Sequence, residues 1–210
     1  MSVPTRSPFL RRTVRRGVVA SSVAAAGFLA LSAETLAVGG VHEYRDFFWN
    51  LPGAATLVAF SAVHAVQRDR SGRFEKAAYW TVQVGLAAAL VGNNARALDV
   101  DALAWLGFPV GALLWMGGLI AFGVATMRAR VLPSSAGLGL VLLEPASILT
   151  GLAFAPLVGL SDHGAYSGAL PKAVALFLVA RGLRSLVSST RPGGRAAAPA
   201  GSPTVMSAAR

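Results

Sequence analysis

The sequence has no cysteine. Disulfides, thiolate metal centres, cysteine-held iron–sulfur clusters and thiol nucleophiles are therefore excluded. Charge is also scarce. Only 13% of residues are Asp, Glu, Lys or Arg, against about 25% in an ordinary soluble domain. That leaves too few charges to cover a water-facing surface. Intrinsic disorder is excluded over most of the length, because 54% of the residues are hydrophobic. There are 3 histidines and 2 lysines, beside 17 arginines. Phosphate loops, nucleophile elbows and HExxH are absent, so no enzyme signature is present.

What is present is a series of long apolar runs. Six of them lie near residues 17–41, 47–67, 77–95, 102–127, 134–160 and 168–187. A helix needs roughly 20 residues to cross a hydrocarbon core of about 30 Å. Strand alternation is absent, which leaves helices as the spanning solution. The expected fold class is thus all-α, a polytopic membrane bundle of six transmembrane helices. Residues 1–16 form a basic amino-terminal segment, 17–187 the six-helix domain, and 188–210 a Pro/Gly/Ala/Ser-rich disordered tail.

The net charge of +10 first invites a nucleic-acid partner. Sorted by span, it has a different meaning. With the amino terminus in the cytoplasm, 16 basic residues fall inside and only Arg45, Arg96 and Lys172 outside. This is the positive-inside pattern of a plasma-membrane protein with both termini cytoplasmic. No nucleic-acid partner is expected; the bilayer is the partner. Most acids lean outward (Glu43, Asp46, Asp99, Asp101, Asp162), with Asp69 and Glu75 in an inner loop. Tyr44, Trp49, Trp105 and Tyr166 flank the outer boundary and Tyr79 and Trp80 the inner one, whereas Trp115 falls near mid-span. Residues 6–37 also fit a signal peptide with cleavage near Ala33–Ala37, but a first helix kept as an anchor is the simpler reading of a multi-span chain.

Ionisable groups inside spans are expensive unless paired or solvated, so they are the functional candidates. Glu144 stands out, in LVLLEPASILTG, about ten residues from the inner end of the fifth span. Pro145 frees a carbonyl one turn earlier, and Ser147 and Thr150 add hydroxyls. Such a carboxyl can bind a proton or cation in a transport cycle, or can hold helices together. Glu34, in the outer third of the first span, is at the depth of Asn93, Asn94 and Arg96, and a Glu34–Arg96 pair is expected. His64 and Gln83 lie toward the inner side and would reach Glu144 only if their helices tilt. The substrate- or proton-binding candidates are therefore Glu144, Glu34, His64, Gln83 and Asn94.

Only His64 among the histidines lies within a span, so a bis-histidine haem is not expected, and no cofactor or metal is. The Gly107/Gly111 pair is a GxxxG motif, read as packing within the chain or as a seam for self-association. The Gly85–Ala89 run reads likewise. The stretch ATMRARVLPSSAGLGLVLLEPASILTG, Ala125 to Gly151, resembles a segment of small polytopic actinobacterial membrane proteins. There a helix ends in an Arg-x-Arg turn, then Leu-Pro, then a Gly/Ala-rich helix. The resemblance implies an architecture and assigns no activity. Two functions follow as expectations: a non-enzymatic accessory or structural membrane component, or a small proton- or cation-coupled secondary transporter using Glu144.

Overall fold

Long runs of Ala, Leu, Val and Gly, broken by short polar turns, favour helices that satisfy their own backbone groups. The computed structural model describes residues 8–40, 42–157 and 166–188, and among these it is all-helical. The long helices are α1 (Pro8–Val38), α2 (Tyr44–Gln67) and α3 (Arg73–Ala97), then α5 (Ala112–Ala129), α6 (Ser134–Phe154) and α7 (Ala169–Ser188). A short α4 (Asp101–Ala104) precedes α5, and one 3₁₀ turn (Ala155–Leu157) follows α6. Three stretches, Pro8–Val38, Asp101–Ala129 and Ser134–Leu157, are long and apolar enough to cross a membrane.

The long helices close into a ring in chain order. α1 packs on α2, α2 on α3, α3 on α5, α5 on α6, α6 on α7, and α7 back on α1. The centre is filled by Phe28, Phe60, Trp115, Phe122, Leu140 and Leu176, all buried. Phe60 stacks on Trp115 with ring centroids 5.8 Å apart and lies 5.7 Å from Phe122. Large apolar side chains also face outward on the helices beyond those three stretches, among them Phe48 and Leu51 on α2, Trp80 and Val84 on α3, and Val174 and Phe177 on α7.

Small residues set the closeness of the ring. In an apolar medium helices gain little from hiding apolar surface, so they associate through close packing. A Cβ built on Gly85 would stand 2.3 Å from the Trp115 backbone nitrogen, and one on Gly118 2.6 Å from that of Val82. The GxxxG glycines are used in the same seam: Gly107 meets Gly92 and Gly111 meets Ala89, all within this chain.

Two helix boundaries differ from the sequence expectation. α1 begins at Pro8, well before the apolar run, so Arg11, Arg12, Arg15 and Arg16 are helical. The fourth span is not one continuous helix. It is interrupted over Leu106–Gly111, where Phe108 is extended (φ −139°, ψ 129°) before a cis bond to Pro109. Proline removes a backbone donor and disfavours the helical conformation in the residue before it. The expectations for Asp162, His163 and the tail beyond Ser188 fall outside the described residues.

Candidate functional site

The break before α5 helps to open a cavity of about 480 Å³ at the end of the ring where α1 turns into α2. Its mouth carries Glu43, Asp46, Arg96 and Asp99, and its walls include Trp49, Phe108 and Tyr166. Trp115, Glu144 and Lys172 also line it. Asp46 and Tyr166 are joined by a hydrogen bond from the phenol to the carboxylate.

Glu144, on α6, is held from two sides. The Trp115 indole donates from Nε1 to Oε2 at 2.8 Å. The Lys172 ammonium, on α7, lies 3.0 Å from Oε2 and donates to Oε1 at 3.2 Å. Neither Ser147 nor Thr150, the hydroxyls that follow it in the helix, is the donor. Lys172 is only 5% exposed. Its Nζ is also 5.9 Å from the Phe28 and Trp49 rings, within reach of their negative faces. A carboxylate and two aromatic faces thus surround one ammonium, and that ammonium belongs to the protein.

Sequence reasoning placed Lys172 among the outer-flank charges and missed this pair. It also treated Trp115 only as an aromatic out of place. A signal was available: a cation near the start of the last apolar run, set apart from the arginines at its end, beside a lone acid within the run before it. Buried charges are paired.

The other expected site residues are not at Glu144. Glu34 pairs with Arg45 rather than with Arg96: Arg45 Nε donates to Oε2 at 2.8 Å and Nη2 to Oε1 at 3.1 Å. Gly39 and Gly40 turn the chain with positive φ (67° and 66°), and their carbonyls accept from the same guanidinium. Arg45 is buried and Arg96 exposed, so the residue beside the turn wins over the one at matching depth. Burial opposes the Arg45 charge, but the Glu34 carboxylate outweighs it and holds the guanidinium above its ordinary range. The same carboxylate accepts from the Tyr44 phenol and raises it above its ordinary value.

His64 and Gln83 do not converge on Glu144 either. Both are engaged between α2 and α3 instead. His64 Nδ1 lies 2.8 Å from Glu75 Oε1, which also accepts from Gln67 Nε2 at 3.0 Å. Glu75, expected in an inner loop, is buried in the first turn of α3. Gln83 Nε2 reaches the Leu57 carbonyl (3.1 Å), Ser61 Oγ (3.0 Å) and the Tyr79 hydroxyl (3.2 Å). Asn94 forms a reciprocal amide pair with Asn50, at 2.8 and 2.7 Å, between α2 and α3. These three sets bridge neighbouring helices, whereas Glu144 alone among the expected residues lines the cavity. No family model, no curated protein and no solved structure matches the chain.

Proposed function

We propose that the chain is a six-span, non-enzymatic protein of the plasma membrane, with both termini cytoplasmic, that carries a small cation through the Glu144 site. The observation that carries this reading is a carboxylate reachable from a cavity of about 480 Å³ while its charge is balanced by Lys172. An ion pair buried in apolar surroundings is costly to separate, because either charge alone is poorly solvated. A proton or a small ammonium entering the cavity can take the place of Lys172 on Glu144. An ammonium keeps one carboxylate and one cation in contact, a proton leaves a neutral carboxyl, and in either case Lys172 is released toward the acids of the mouth.

The charges at the mouth favour a cation. The Arg45 guanidinium is already matched by Glu34 and Lys172 by Glu144. That leaves Glu43 and Asp99 beside Arg96. Local excess negative charge concentrates cations at an entrance, and aromatic faces add to ammonium binding.

The test is flux into proteoliposomes holding the purified full-length chain. Uptake of small primary alkylammonium ions should be saturable, depend on pH, and be lost in Glu144→Gln. Uptake that is independent of pH and unchanged by Glu144→Gln would sink the reading. A second reading, an accessory or structural component, is favoured by the engagement of both Glu144 oxygens. It requires no flux, with Glu144→Gln lowering only stability.

A further inference from the structure

The amino-terminal half of α1 carries a second feature that the cavity does not use. Arg11, Arg12, Arg15 and Arg16 recur at intervals of three and four, which places them on one helix face. The same face continues as Val19 and Val23. Beside it, Ala55 and Val58 of α2 form the opposite wall of a groove of about 790 Å³. The groove therefore has a basic end and an apolar end, and no carboxylate lines it. Arg12, Arg15 and Arg16 are exposed and have no ion-pair partner among the described residues.

We propose that this groove binds one anionic phospholipid of the cytoplasmic leaflet. The guanidinium fork matches two phosphate oxygens, which gives directed hydrogen bonds as well as charge attraction. From Arg12 to Val23 the helix rises roughly 16 Å. That is close to the depth of one leaflet, half of a hydrocarbon core of about 30 Å. A headgroup at the arginines thus lays its acyl chain along Val19, Val23, Ala55 and Val58. The direction agrees with the inner leaflet, where the arginine-bearing end belongs by the positive-inside rule. The proposal rests on the membrane reading and is independent of Glu144.

The experiment uses the full-length chain in neutral detergent, titrated with phosphatidylglycerol, phosphatidylcholine or inorganic phosphate. Retention is read by native mass spectrometry and stabilisation by thermal unfolding. Phosphatidylglycerol should be retained and raise the unfolding temperature, while phosphatidylcholine and phosphate do neither. Arg12→Gln and Arg16→Gln should each weaken retention about fivefold. Val23→Trp fills the apolar end without changing any charge, so it should weaken phosphatidylglycerol while leaving topology intact. Equal retention of both lipids, an equal effect of free phosphate, or undiminished retention in Val23→Trp overturns the site. A chain that does not enter vesicles would overturn the membrane reading instead.

Discussion

Lys172 Nζ lies 3.0 Å from Glu144 Oε2 because α6 and α7 pack antiparallel with the two residues level. Gly139 meets Ala175 on one side of the pair and Gly168 meets Ser147 on the other. The lysine charge therefore stays in the interior beside its partner instead of snorkelling to an interface. The pair thus has a clear energetic signature. Glu144→Gln alone leaves an uncompensated ammonium in the interior and should destabilise the chain by about 3 kcal/mol. Glu144→Gln combined with Lys172→Met should recover most of that loss. Thermal unfolding of the purified chain measures both, and an additive double variant would contradict the pairing.

The contact between Tyr44 and Glu34 gives a pH dependence at the turn between α1 and α2. The carboxylate hydrogen bond raises the phenol above its ordinary value of 10.0. A raised folded-state value means the contact stabilises fully below the ordinary value and is lost as pH rises through the raised one. Spectrophotometric titration of tyrosinate in Tyr44→Phe and parent should assign a late-ionising phenol to Tyr44. In Glu34→Gln that phenol should ionise earlier, nearer its ordinary value.

Helix existence was legible because long apolar runs leave one backbone solution, and the order of polar turns bounded each run. Closure of the ring, with α7 returning to α1, was not legible, since hydropathy says nothing about which helix neighbours which. Glu144 was found because a lone acid inside an apolar run needs a reason. Its partner was missed because Lys172 lies one turn inside α7, where sequence alone reads a basic residue as flank. Arg45 was missed for a related reason. Matching depths favoured Arg96, while the Gly39–Gly40 turn that folds Arg45 back onto Glu34 is a local backbone feature. The break at Phe108–Pro109 lies in a run whose apolar content reads as unbroken helix.

The buried Glu75 should behave as a structural anchor for the turn between α2 and α3. It sits in the first turn of α3, where the helix dipole favours a carboxylate. Glu75→Ala strips an acceptor from the fully buried Gln67 amide and should cost about 2 kcal/mol. Adding Gln67→Leu should recover part of the cost, because the orphaned amide is then gone. Lys76→Ala, next along the helix and exposed, should leave the unfolding temperature unchanged.

Two glycines separate close packing from mere composition. At Gly92 an added Cβ would fall 1.8 Å from the Gly107 backbone nitrogen, and no side chain can move aside to admit it. Gly92→Ala should therefore force α3 away from the break before α5 and cost about 3 kcal/mol or more. Gly117 is in the interior of α5 with nothing within 4 Å of the same position. There alanine only removes backbone freedom from the unfolded chain, so Gly117→Ala should stabilise by about 0.5–1 kcal/mol. Parallel unfolding of the two variants checks the seam directly. Similar shifts in both would mean that α3 and α5 are not in backbone contact, and the cavity framed by the break would lose its wall.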